Sequence, residues 1–138
     1  PQPMGDGKTG WTVPMDPSAK VIQVGDIADF GRVVAHAFEA PDQVNGQYLS
    51  VAAHLMSWNQ LTAELNALGH DFSVMQVPDE VYDGFYPGAA EVRATFQWME
   101  QYGYFGPNAD QKLAQARAVH PGALTSFAKW ATANMPVG

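Results

Sequence analysis

The chain has 138 residues, the size of one domain, and 46% of them are hydrophobic against 15% charged, which excludes a disordered segment. Seven basic residues against fourteen acidic ones leave a formal net charge of −7, which argues against a nucleic-acid partner. No apolar run is long enough for a membrane helix, and the lack of cysteine excludes disulfides and thiol chemistry and suits a reducing, cytoplasmic compartment.

Residues 1–20 hold Pro1, Pro3, Pro14 and Pro17 together with Gly5, Gly7 and Gly10, which predicts an extended arm, a loop or a loose hairpin. Val21 to Val24 is a β-branched run and predicts a strand ended by Gly25. Asp26 has the position of a helix N-cap, with Asp29 near the positive end of the dipole. Ile27, Phe30, Val34, Ala37 and Phe38 then recur at helical spacing as one apolar stripe, and Pro41 stops that helix. Asn45-Gly46 reads as a turn, and Gln47 to Val51 alternates like a second strand. Ser57 and Gln60 make a capping box ahead of a helix carrying Leu61, Leu65 and Leu68, with Gly69 at its end. Phe72 to Val77 predicts a third strand.

Pro78 suits the first position of a helix, followed by Asp79 and Glu80. Ala89 to Tyr102 reads as a helix that points Val92, Phe96 and Met99 inward. Ala109 to Val119 reads as a shorter one. Pro121-Gly122 breaks the chain, and Thr125 is placed to cap a last helix through Asn134. The fold class is therefore α/β: a few short strands, about five helices, and a helix-rich second half.

Gly5-Asp6-Gly7-Lys8-Thr9-Gly10 matches G-x-G-x-x-G. A dinucleotide site needs a strand before those glycines and a helix after them, and neither is expected here, so the run reads as a turn. It fails as a P-loop because Gln2 stands where that motif needs glycine. None of the five tyrosines has a lysine four residues later, so the reductase pair is absent. Ser126 and Lys129 match Ser-x-x-Lys, but the supporting motifs of that nucleophile are missing or out of order. His36, His54, His70 and His120 are too far apart for a local metal pair. No catalytic residue and no metal ligand is assigned.

His36 reads as a boundary residue of its helix. His54, in a loop after a strand, is a candidate ligand contact. Asp79, Glu80 and Asp83 read as helix-start electrostatics. The aromatic run that holds Tyr82, Phe85, Tyr86, Tyr102, Tyr104 and Phe105 has two readings: core packing, or one wall of an apolar pocket for a small organic substrate. These six residues and His54 are the candidate substrate-binding set.

Val24-Gly25-Asp26-Ile27-Ala28-Asp29-Phe30-Gly31, Phe38-Glu39-Ala40-Pro41 and Asn45-Gly46-Gln47-Tyr48-Leu49 resemble the NmrA-like family of atypical short-chain dehydrogenase/reductases. Trp98 to Gly106 and Leu124 to Phe127 with Trp130 add to the likeness, as does the opening run Pro3 to Lys8. The resemblance implies a Rossmann-like, NAD(P)-binding protein that is either a reductase or a nucleotide-sensing regulator. It implies further that residues 21–138 are the C-terminal, substrate-side portion of such a domain. The glycine motif and most of the catalytic apparatus would then lie in a part ahead of Pro1.

On that reading the parent takes NADP or NAD and acts as an oxidoreductase on a carbonyl or enone-like substrate, while this chain alone binds no cofactor and is inactive. Its partners are that small molecule and the missing N-terminal half or a second chain, without nucleic acid or membrane. A non-catalytic NADP(H)-sensing regulator and a stand-alone small-ligand-binding domain are the alternatives.

Overall fold

The computed structural model describes residues 1–5, 7–120 and 122–137. Asp6 of the glycine run and Pro121 of the expected break lie outside the described residues.

β1 (Gln2–Pro3) and β2 (Thr9–Val13) form an antiparallel hairpin, with Gly7 at φ +82° in its turn. β2 also pairs in parallel with β5 (Phe72–Gln76), which sets the order β1-β2-β5. Of the expectations for residues 1–20, the hairpin is the one that forms. Val13 and Met15 are almost fully buried, because the strand they extend is the middle one of the sheet. Gly10 of β2 lies opposite Ser73 of β5. A Cβ there would lie 1.9 Å from the Ser73 carbonyl oxygen, so the position admits only glycine.

β3 (Ile22–Val24) pairs with β4 (His54–Met56) as a separate antiparallel ribbon. The alternating run at 47–51 forms no strand, since no described strand lies beside it; Leu49 and Val51 turn toward the first helix instead.

Among the described residues there are seven helices against the five expected. Two are short: α2 (Pro41–Val44), which was not expected, and α4 (Asp79–Asp83), the helix expected after Pro78, which serves as its N-cap. α1 (Ile27–Glu39) starts where the Asp26 carboxylate accepts the Ala28 N–H at 2.9 Å. α3 (Trp58–Ala67) starts from the Ser57–Gln60 capping box, with both reciprocal bonds formed. α5 (Ala89–Tyr102) and α6 (Ala109–Val119) have the expected bounds. α7 (Phe127–Asn134) is capped by Ser126, not Thr125: the Ser126 hydroxyl accepts the Lys129 N–H at 3.2 Å.

Two adjoining apolar clusters form the core. Met56, Leu61, Leu65 and Ala131 anchor one, and Val13, Met15 and Val21 the other. Trp11 and Ile22 pack against both and join them. Phe96 and Met99 of α5 reach the second cluster as expected, but Val92 is 38% exposed. The larger departure is α1. Its stripe faces outward, with Ile27 81% and Phe38 82% exposed, and only Val33 and Asp29 are buried.

Candidate functional site

The hairpin and α4 build the site. Tyr82 lies on α4, and Phe85 and Tyr86 follow in the turn beyond it. Their rings meet, Tyr82 with Phe85 at 5.4 Å and with Tyr86 at 6.5 Å between centroids. Together with Pro1, Gln2, Gly10, Trp11 and Thr12 they line a cleft of about 230 Å³. Tyr82 is buried, while Phe85 and Tyr86 are half open to solvent. One wall is thus fixed in the fold and the other is free to meet a ligand.

α4 is short and would fray alone. Arg93 of α5 holds it. Its Nε and one terminal nitrogen donate to both oxygens of Asp83, at 2.7 and 2.9 Å. The other terminal nitrogen donates to Asp79 at 3.2 Å and to Gln97 at 3.1 Å. A planar fork against a carboxylate fixes direction as well as distance. The guanidinium bonds hold the Asp83 carboxyl below its ordinary range and push Arg93 up. Asp79 and Asp83 thus clamp α4 to α5 through Arg93.

Burial, with a hydrogen bond and charge interaction from Tyr86, pushes the Tyr82 hydroxyl up to about 12. A general acid works best with a pKa near the operating pH, so this shift runs against proton transfer. The cleft is suited to hold a flat apolar molecule by its rings, with the Tyr82 hydroxyl kept protonated.

The remaining candidates are elsewhere. His54 is not in a loop; it opens β4, is exposed, and lines a different cleft of about 550 Å³ with Met56, Glu64 and Phe127. Tyr102 is exposed at the end of α5 beside Trp98, 5.7 Å between rings. Tyr104 is exposed and stands edge-on to the half-buried Phe105, whose carbonyl accepts from Lys112 at 2.6 Å. The aromatic run therefore divides: Tyr82, Phe85 and Tyr86 share the cleft, and Tyr102, Tyr104 and Phe105 belong to the α5–α6 turn.

The glycine run does not fit a dinucleotide. Gly10 lies inside β2, packed on the Ser73 backbone, and residues 11–13 continue as strand where a phosphate site needs a helix N-terminus. Among the described residues, no group of three or more His, Cys, Asp or Glu could hold a metal ion. No helix among them is long and apolar enough to cross a membrane.

Two arrangements have no signature in the sequence. Asp29, 2% exposed, accepts the Thr125 N–H and hydroxyl, the latter at 3.2 Å, and is paired with Arg32. Burial alone would raise its pKa, but the Thr125 and Arg32 bonds together hold it below the usual carboxylate range. His120, also buried, meets the His36 ring edge-on at 4.9 Å. The partners are separated by 96 residues in the first case and 84 positions of sequence in the second, and no local pattern predicts either.

The comparisons agree with this architecture. No curated protein matches the chain in sequence. Among solved structures, the fold matches the crystal structure of NmrA, a negative transcriptional regulator, in its monoclinic form, with a TM-score of 0.68 and 19% identity. The match covers 97% of this chain and 45% of that one, so the chain spans less than half the length of the protein it resembles. The NmrA-like family profile matches residues 1–134, and the chain belongs to the NmrA-like family.

Proposed function

We propose that this chain is the ligand-side portion of an NmrA-like NAD(P)-binding protein, and that it contributes binding and not proton transfer. The observation that carries the reading is the cleft of Tyr82, Phe85 and Tyr86 against Trp11, in which the buried tyrosine hydroxyl is pushed up to about 12. Such a cleft favours a small flat organic ligand of carbonyl or enone type, stacked on the rings. The dinucleotide, NADP or NAD, would be held by a separate half of the protein, because the glycines of this chain do not fit it.

A regulator is favoured over an oxidoreductase, because NmrA, the structural match, is a negative transcriptional regulator. Trp11 lines the cleft and gives a direct signal. Titrating the 138-residue chain with cinnamaldehyde should quench tryptophan fluorescence saturably, and Phe85→Ala should abolish the saturable part. NADPH should bind the same chain weakly or not at all by calorimetry. Quenching that never saturates would sink the ligand reading. Turnover of the aldehyde with NADPH, by the protein that joins this chain to a dinucleotide-binding half, would make it an oxidoreductase.

A further inference from the structure

The cleft has one wall set by the core and one that stands half open. Trp11 belongs to the first and packs against both apolar clusters. Phe85 and Tyr86 belong to the second. They lie in the corner 84–88 between α4 and α5, which has a glycine at each end. Gly84 is the C-cap of α4. Gly88, at φ +93°, is the N-cap of α5, and a Cβ added there would meet nothing within 4 Å. The backbone bonds of the corner are local: the Phe85 N–H donates to the Tyr82 carbonyl at 3.0 Å, and the Ala89 N–H to the Tyr86 carbonyl at 3.1 Å. Bonds of that kind fix the shape of a turn, while its placement comes from the elements at its ends.

Of those two elements, α5 is the one anchored in the core. Ala89 is buried, and Phe96 and Met99 reach the cluster against which Trp11 packs. A chain of rings joins the two, with Trp11 5.6 Å from Trp58 and Trp58 6.5 Å from Phe96. α4 has five residues and no side-chain cap, so it depends on Arg93. Besides accepting from Arg93, Gln97 donates to the same Asp79 oxygen at 2.8 Å, and the three side chains close a ring. The guanidinium fork grips Asp83, the last residue of α4 and the one before the corner. Both walls of the cleft therefore refer to one body. Trp11 does so by packing, and the corner does so through Asp83, Arg93 and α5.

We infer that Arg93 is a positioning residue for the cleft and sets its selectivity, an inference that rests on the reading given under Proposed function. By fixing the gap between the two walls it favours a planar conjugated ligand over a bent saturated one of the same size. The cause is directional. A guanidinium holds a carboxylate in one plane by two bonds, whereas an ammonium attracts it as a point charge and leaves it free to turn. With that direction lost, the corner swings about its two glycines, and a variable gap admits a bent chain as readily as a flat one.

Arg93→Lys separates direction from charge. Cinnamaldehyde and 3-phenylpropanal differ by one double bond, so the ratio of their dissociation constants reports the gap. The first is read by tryptophan quenching and the second by its displacement of the first. In the unsubstituted chain the planar aldehyde should bind about tenfold more tightly. In Arg93→Lys that ratio should fall by roughly three- to tenfold. A general loss of structure lowers both affinities together and leaves the ratio alone. Should Arg93→Lys fail to fold, Asp83→Asn weakens the same fork from the α4 side and reads the same ratio.

Deuterium exchange gives a reading that needs no ligand. Amides 84–89 should exchange several-fold faster in Arg93→Lys, while those of α3 are unchanged. Equal exchange at the corner would overturn the inference. So would an unchanged ratio in a folded variant that still binds both aldehydes, which sinks the positioning role alone. If neither aldehyde binds the unsubstituted chain, the ligand reading falls and the selectivity falls with it.

Discussion

α1 and α3 are both amphipathic in sequence and both start from a capped residue, yet they are held in opposite ways. α3 turns Leu61 and Leu65 into the core beside Met56 and Ala131. α1 turns its hydrophobic stripe away and is fastened by the Asp29 carboxylate to Thr125, beside the single buried aliphatic Val33. Periodicity reports that a helix has an apolar face; it does not say which body that face meets. In α3 the body is this chain. In α1 a polar contact occupies the inner side and the apolar side is left over.

This contrast is testable by substitution in the 138-residue chain, beginning with the largest effect. Leu65→Ala removes a side chain that is 1% exposed and should cost about 2–5 kcal/mol in urea unfolding. An unfolding midpoint close to the unsubstituted chain would show that α3 is not the apolar anchor. Asp29→Asn leaves the helix face intact but weakens the bonds to Thr125 and Arg32, for a loss of about 2 kcal/mol.

The same carboxylate gives a pH signature. Its pKa is lower folded than unfolded, so its contribution is complete above the ordinary carboxylate value of 3.8 and is lost as pH falls through the lower folded value. Thermal melts from pH 6 down to about 2 should therefore flatten in Asp29→Asn relative to the parent; parallel curves would remove Asp29 from the account. Ser57→Ala breaks one half of the α3 capping box and should cost about 1 kcal/mol. Phe38→Ala should change stability by less than about 0.5 kcal/mol, since the ring is 82% exposed. A large loss there would mean that the α1 stripe is already packed within this chain.

Local signals in the sequence carried well. The Asp26 cap, the Ser57–Gln60 box, and the bounds of α5 and α6 depend on neighbours a few residues apart, and all are formed. Long-range placement did not carry. The parallel pairing of β2 with β5 made a central strand of a segment rich in proline and glycine, because Gly10 permits a close approach that only the partner strand reveals. Thr125 looked like a cap and was drawn to Asp29, leaving Ser126 for α7. The aromatic run suggested a single wall, but Gly88 and Gly103, both at positive φ, bracket α5 and send its two ends apart. Arg93 was not singled out, since a clamp depends on where α4 lands and not on spacing.

The bond between Asp29 and Thr125 also orders events in time. A ribosome delivers residue 29 long before residue 125, and until then the carboxylate has no Thr125 to neutralise its desolvation. α1 can form early, but until then its buried carboxylate has Arg32 and not Thr125 to offset its desolvation. A chain stopped short of residue 125 would keep α1 in water, fraying and open to proteases, even with both strands of the ribbon already made. Thr125 therefore acts as a completeness check on a helix that emerges 96 residues before it.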